Sequence, residues 1–227
     1  KGLSAGRVQS VVLLFICQRY DEIINFKPKI SSQISGCFEK IIQAKLPSKE
    51  CHNFVEAEKL MELAESSKFI ISDMKSKEVF RNPPLPFITS SLQQKAQQLC
   101  GFGVKRTMQL AQKLYMKGQI TYIRTDKPVI SAAFIPEINN YIKNKWGEDY
   151  VSKKIRTAKK TKGSQEAHEA IRPTKITELG DSITDPTEKK LYQLIWKQTL
   201  ASCASVAKVR QDFLFIQVSN WDKKISY

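Results

Sequence analysis

The run Asn82-Pro83-Pro84-Leu85-Pro86 constrains this chain more than any other stretch. Three prolines in five residues stop a helix, remove ladder donors from a sheet and stiffen the backbone into a boundary. The hydrophobic period differs on its two sides. Before it, Ile34, Gly36, Phe38, Ile42, Ala44 and Leu46 recur with period two over 33–46, which predicts a strand or a bent pair. Val55, Leu60, Leu63 and Ala64 then predict a helix over 54–66, and Phe69–Phe80 reads as a strand. After the prolines the spacing is helical. Ser91 and Gln94 match a capping box for a helix through Leu99; Met108, Ala111, Leu114 and Tyr115 share one face of 105–117, which Gly118 closes; and 131–146 is helical. Asp185-Pro186-Thr187-Glu188 supplies a cap, a proline at the first helical position and a glutamate at the third, opening a helix to Ala204. Strand spacing returns with Val209, Phe213 and Phe215 over 208–219. The chain therefore reads as α+β and multi-domain, with a helical domain inserted into a β-rich one. A leading helix over 4–25, capped by Ser4 and ended by Lys27-Pro28, is apolar on nearly every side and is expected to pack in a core.

Charge narrows the partners. Thirty-seven Lys and Arg against 22 Asp and Glu give +15 over 227 residues, which favours a polyanion, with nucleic acid ahead of an anionic membrane surface. The longest apolar run, Val11–Cys17, is seven residues, against the ~20 a membrane helix needs. The five cysteines (Cys17, Cys37, Cys51, Cys100, Cys203) form no C-x-x-C pair, and His52 and His168 are the only histidines, so reduced thiols in a cytosolic setting fit better than zinc or disulfides. The opening Lys1-Gly2-Leu3 and the polar ending read as a piece of something longer.

Three segments could carry chemistry. Leu3-Ser4-Ala5-Gly6-Arg7-Val8-Gln9-Ser10 sets small residues and a fixed charge at a helix start, where a phosphate can approach free N–H groups. Ile120-Thr121-Tyr122-Ile123-Arg124-Thr125-Asp126 sets a phenol two residues from a guanidinium, just after a helix bearing Lys105, Arg106 and Lys113. A phenol with a pKa near 10 is a weak nucleophile at neutral pH, so positive charge beside it matters, and an arginine fork suits a phosphate. Read alone, Tyr122 is more readily an ordinary strand residue with a satisfied hydroxyl than a nucleophile. Glu166-Ala167-His168-Glu169-Ala170-Ile171-Arg172-Pro173 offers a histidine that can move a proton and an arginine for another phosphate, after a basic run at 153–162. No acidic metal motif is present; Glu166 and Glu169 read as surface charges.

Together these segments resemble the type IA DNA topoisomerases, close to the bacterial topoisomerase I branch. The resemblance runs through Gly-Leu-Ser-Ala-Gly-Arg-Val-Gln-Ser (2–10), Pro-Phe-Ile-Thr-Ser-Ser-Leu-Gln-Gln (86–94), Lys-Arg-Thr-Met-Gln-Leu-Ala-Gln-Lys-Leu-Tyr (105–115), Ile-Thr-Tyr-Ile-Arg-Thr-Asp (120–126) and Ser-Gln-Glu-Ala-His-Glu-Ala-Ile-Arg-Pro-Thr (164–174). It implies a toroid to which this chain supplies the start of the base with its DNA-binding helix (1–27), a β-rich arch (28–81 and 206–227) and the helical domain with the nucleophile (82–205).

It also implies an ATP-independent isomerase that relaxes negatively supercoiled DNA through single-strand cleavage, a 5′-phosphotyrosine, strand passage and religation. Tyr122 matches the catalytic tyrosine, Arg124 the arginine on the scissile phosphate and His168 an active-site histidine. Arg7 matches an arginine of the single-stranded DNA groove, and Lys105, Arg106, Lys113, Thr125, Asp126 and Arg172 are further expected DNA contacts. Lys127 stands where the family usually has serine. Magnesium is expected for the full-length enzyme on a Toprim domain upstream of Lys1, none of it bound within this chain, so the chain alone is expected to bind DNA without relaxing it. A bacterial cytoplasmic setting at the nucleoid, with no membrane partner, follows. Two rivals remain: a tyrosine recombinase or type IB enzyme, which wants its arginines and histidine upstream of the tyrosine, and a non-catalytic basic DNA-binding module.

Overall fold

The computed structural model describes residues 6–29, 31–45, 54–152 and 169–219. Its elements are α1 (Arg7–Ile24), β1 (Ser35–Phe38), β2 (Ile42–Lys45), α2 (Phe54–Glu65), β3 (Phe69–Arg81), α3 (Thr89–Cys100), α4 (Val104–Met116), α5 (Ile135–Trp146), α6 (Pro186–Cys203) and β4 (Ala207–Val218). The expected mixture of sheet and helix is present, and β3 and β4 pair on either side of the helical block. The chain divides into two compact units, one of 1–77 with 211–227 and the other of 78–210.

In the first unit, the period-two stretch is a bent pair: β1 and β2 form an antiparallel hairpin in the register Ser35 with Lys45 through Phe38 with Ile42. The turn places Glu39 and Lys40 at φ 49° and 59°, a left-handed conformation normally given to Asn-Gly. Phe38 meets Phe69 edge-on at 4.9 Å between ring centroids. β3 and β4 run antiparallel here, since the Lys68 N–H donates to Ser219 Oγ and the Ser72 hydroxyl donates to the Phe215 carbonyl. α1 differs from its expectation. It begins at Arg7 behind Gly6, and no side chain along it is buried. Phe15, Ile16 and Leu13 are each at least 60% exposed. Its apolar character is present, but among the described residues nothing packs against it. The proposed cap Ser4 and Leu46 lie outside the described residues. No helix among the described residues is long and apolar enough to cross a membrane.

The second unit has two adjoining cores. One gathers Leu92 and Ala96 of α3, Leu110, Ala111 and Leu114 of α4, Leu191 and Ile195 of α6, and Phe87, Ile120, Ile123 and Ile171 from the connecting segments. The other gathers Ile138 and Ile142 of α5 with Ile130, Ile176, Leu200 and Cys203. Trp196 packs on both and donates from its indole to the Ile176 carbonyl at 2.8 Å. α6 thus binds the two cores through successive turns. Each fully buried Leu or Ile contributes roughly 1.5–3 kcal/mol relative to exposure, so these side chains fix where the loops between the helices must run.

The helix boundaries follow local chemistry. α3 starts three residues earlier than the Ser91–Gln94 signal implied: the Ile88 N–H donates to Ser91 Oγ at 3.0 Å, which makes Ser91 the residue that reaches back to the cap. Gly101 at φ 74° closes α3, with the Phe102 N–H reaching the Ala96 carbonyl. α6 opens as its sequence predicts, with the Asp185 carboxylate accepting from the Thr187 and Glu188 N–H groups. The Thr187 hydroxyl and N–H, ahead of the Glu188 N–H, hold the Asp185 carboxyl below its ordinary pKa.

Tyr192 is buried, its hydroxyl donates to the Glu178 carbonyl at 2.8 Å, and burial, then Glu178, push its pKa up to about 12. Against this ring lies Gly180 at φ 87°, where an added Cβ would sit 2.8 Å from Tyr192 Cδ1. Gly180→Ala therefore combines a left-handed backbone with a clash against a fixed ring. It should lower stability by about 2 kcal/mol, read from the urea midpoint. An unchanged midpoint would show that this corner relaxes freely.

Candidate active site

The Tyr122 segment is not part of a regular sheet; among the described residues its only ladder contact is an isolated bridge of Ile120 with Pro173. Threonines hold it instead. On one flank, the N–H of Thr89, at the start of α3, donates to the Thr125 carbonyl at 3.0 Å. The Thr89 hydroxyl donates toward the Ile123 and Thr125 carbonyls, at 2.7 and 3.0 Å, and accepts the Thr125 N–H at 3.0 Å. On the other flank, the Thr121 N–H donates to the Arg172 carbonyl, while the Thr121 hydroxyl donates to the Ala170 carbonyl at 2.8 Å and accepts the Arg172 N–H at 2.9 Å. The Thr174 N–H adds a bond to the Gln119 carbonyl. Ile120 and Ile123 are 1% and 2% exposed in the first core. The chain bends at Ile123, so Ile120 and Ile123 both face inward; beyond the bend Ile123 and Thr125 alternate with Tyr122 and Arg124, which are left outside.

Tyr122 is 39% exposed, and its ring meets Tyr115 of α4 edge-on at 5.5 Å. That contact holds the apolar body of the phenol while leaving a wet face. Arg124 is exposed and lines a groove of about 530 Å3 with Arg106, Gln109, Lys113 and Ile123. The structure thus brings Arg124, Arg106 and Lys113 to one groove along α4 and ties Tyr122 to the same helix through Tyr115. Lys105 is exposed on the same helix, and Asp126 is exposed beyond Arg124.

Other expected site residues sit differently. Arg7 is exposed at the start of α1, in the other unit. His168, Glu166 and the basic run 153–162 lie outside the described residues. Thr125, expected to touch DNA, is turned inward at 7% exposure, and its hydroxyl accepts the Lys127 N–H at 3.1 Å. Arg172 is also turned inward. Its guanidinium forks onto Glu169 with two 2.9 Å bonds, donates to the Pro173 carbonyl and lies 3.8 Å over the Phe134 ring. Glu169, read as a surface charge, accepts the Ser131 N–H as well. This cluster braces the 169–173 strip, and that strip in turn holds Thr121.

Sequence reasoning missed Thr89, Thr121 and Glu188. Glu188 of α6 is 2% exposed and receives Lys117 at 2.6 Å and Lys113 at 3.5 Å. The signal for it was present, since a glutamate three residues after a cap opposite a lysine-rich helix is a natural ion-pair acceptor. Among the described residues no group of three or more His, Cys, Asp or Glu side chains could hold a metal ion.

A solvent-facing tyrosine and arginine lie on a clamped segment beside a cation-lined groove, a surface suited to a phosphodiester, and comparison with known proteins supplies the family. The model of the DNA topoisomerase family matches residues 1–226, and the chain belongs to that family, in its type IA class. It is 38% identical to DNA topoisomerase 1 of Buchnera aphidicola over 98% of this chain and 29% of that one. The corresponding values are 42%, 87% and 29% for the Rickettsia felis enzyme, and 34%, 99% and 27% for that of Pasteurella multocida. The solved structure of full-length topoisomerase I from Thermotoga maritima superposes with a TM-score of 0.79 at 32% identity, over all of this chain and 38% of that one. The chain therefore shares the fold of the corresponding part of that topoisomerase I. The chain spans about three-tenths of the length of these curated relatives.

Thr89→Val keeps the shape of the side chain but leaves the Thr125 N–H and the Ile123 carbonyl without their hydroxyl partner, at a cost of about 1–3 kcal/mol. Amide exchange at Thr125 should accelerate by that amount. Retained protection would show that the backbone contact from the Thr89 N–H suffices.

Proposed function

We propose that the full protein relaxes negatively supercoiled DNA and that this chain carries its nucleophile. The observation that supports the reading best is the pairing of Tyr122 and Arg124 on one outward face of a segment held from both flanks. In the proposed reaction a single strand lies along α4, with its scissile phosphate on the Arg124 guanidinium. The Tyr122 oxygen attacks phosphorus, a phosphotyrosyl ester forms, and the bond to the 3′-oxygen of the neighbouring nucleotide breaks. The phenolic proton leaves the tyrosine, and a proton is gained by the departing 3′-hydroxyl. His168 is assigned to that proton movement. Another strand passes, and the 3′-hydroxyl attacks the ester to restore the phosphodiester and the phenol. No external energy source is needed, because one phosphoester is exchanged for another.

Arg124 binds the non-bridging oxygens bidentately and offsets charge that grows in the transition state. Lys105, Arg106 and Lys113 attract the backbone in a salt-dependent, sequence-independent way, and Arg7 is assigned to a more distant stretch of the same strand. Arg172 and Thr125 act through the backbone they hold. The donor set of the described residues does not fit magnesium. The metal is accordingly assigned to a Toprim domain elsewhere in the polypeptide. Bacterial relatives support a setting at the nucleoid in the cytoplasm.

In the full-length protein with a labelled single-stranded oligonucleotide, Tyr122→Phe should abolish the covalent adduct and leave binding near its wild-type value. An adduct that survives would remove Tyr122 from the mechanism, and no adduct in the wild type under any condition would favour the non-catalytic binding module. Arg124→Ala should lower cleavage by about a hundredfold while affinity falls only a few-fold, since its contact strengthens in the transition state. Equal losses in both would reduce it to a general backbone contact.

A further inference from the structure

The groove beside Arg124 is built from more than a basic helix face. Arg106 and Lys113 lie two turns apart on α4 and both line it, together with Arg124. Each of the two α4 cations is held by the first turn of α6. Arg106 Nη2 donates to Thr187 Oγ1 at 3.3 Å, and Lys113 Nζ lies 3.5 Å from Glu188 Oε1. Thr187 and Glu188 are themselves fixed, because the Asp185 carboxylate accepts from both of their N–H groups and from the Thr187 hydroxyl at 2.6 Å. Glu188 also takes Lys117, which lies outside the groove, so one buried carboxylate serves two lysines and the set keeps a net positive charge. Among the described residues neither Arg106 nor Arg124 has an ion-pair partner. The remaining walls include Met108, Leu110 and Ile123. Three cations around apolar walls, in about 530 Å3, suit one nucleotide with its phosphate on the cations and its sugar or base against the side chains.

Resting on the mechanism above, we propose that this groove is a subsite for the nucleotide adjoining the cleaved bond, with Arg106 and Lys113 on its phosphate. Thr187 and Glu188 are positioning residues that hold those two cations in register with Arg124. A long lysine stem samples many rotamers in water, and a buried carboxylate removes most of them. The anion weakens the general attraction for DNA and in exchange fixes where the remaining positive charge lies.

The test uses the full-length protein and oligonucleotides carrying a neutral methylphosphonate at each position flanking the scissile phosphate, one at a time. One such position should slow wild-type cleavage about tenfold, the scale of a lost charge-assisted hydrogen bond. The double variant Arg106→Ala/Lys113→Met should cleave the normal oligonucleotide slowly and lose that penalty. The same penalty in both proteins at every position overturns the subsite. If the wild type forms no adduct at all, the nucleophile reading fails separately, and the subsite stands or falls on the affinity penalty measured in the same way.

Glu188→Gln separates positioning from charge. Removing an anion should leave affinity unchanged or raise it, whereas cleavage at saturating oligonucleotide should fall several-fold; unchanged cleavage overturns the positioning role. Thr187→Val keeps the N–H bond to Asp185 but loses both the acceptor for Arg106 and the hydroxyl bond to the Asp185 carboxylate, whereas Thr187→Ser keeps both. Cleavage should fall in the valine variant and recover in the serine variant, and wild-type cleavage by Thr187→Val would overturn the role of Thr187.

Discussion

Buried or half-buried backbone polar groups must be paired, and among the described residues the segment from Gln119 to Thr125 has only an isolated bridge, Ile120 with Pro173, in place of a regular neighbouring strand. Two threonine hydroxyls take the place of a sheet. Thr89 and Thr121 each donate to one carbonyl and accept one N–H, so each side chain imitates the two-way exchange of a strand partner. Everything at the candidate site depends on this. If the segment rotated about its axis, Ile123 and Thr125 would leave the interior and Tyr122 and Arg124 would turn into it. The register is therefore tied to the burial of Ile123 and Thr125, with Ile120 anchored ahead of the bend, and the hydroxyls make that register compatible with satisfied hydrogen bonds.

The charge pattern of the helical unit follows a similar logic. A chain with net charge +15 repels itself, and its two half-buried clusters spend carboxylates where they do structural work. Glu169 straightens Arg172 over Phe134, and Glu188 gathers two lysines under α6. Removing Glu169 would leave the largely buried Arg172 guanidinium poorly solvated, a cost typical of breaking such a pair from one side, whereas Lys113 and Lys117 are more than half exposed and would keep their water.

Much of this was legible in the sequence. The prolines at 83, 84 and 86, the return of period two after 207 and the Asp185-Pro186 start are backbone statements, and they predicted the helical block and its flanking strands within a few residues. The Tyr122–Arg124 pair was legible because exposed chemistry is written in residue types. The inward turn of Thr125 and Arg172 was not, because both side chains are chemically suited to a phosphate and only tertiary contacts decide where they point. Thr89 was hidden for the same reason: a threonine near a helix start reads as a cap, and its true partner lies 36 residues away. The bare surface of α1 shows the converse limit. An apolar pattern announces burial without naming what does the burying.

The clamp around Tyr122 has a mechanical meaning. In the proposed covalent state, a severed DNA strand would be attached to the protein through one phenolic oxygen, and tension in that strand would pass directly into the backbone between Thr121 and Ile123. A hairpin peels open one bond at a time when pulled at its end. This segment is held from two opposite sides near the point of attachment, by hydrogen bonds to separate parts of the fold, so a pull at the tyrosine is shared among them. The geometry that aims the side chain is also a geometry that resists its being drawn out.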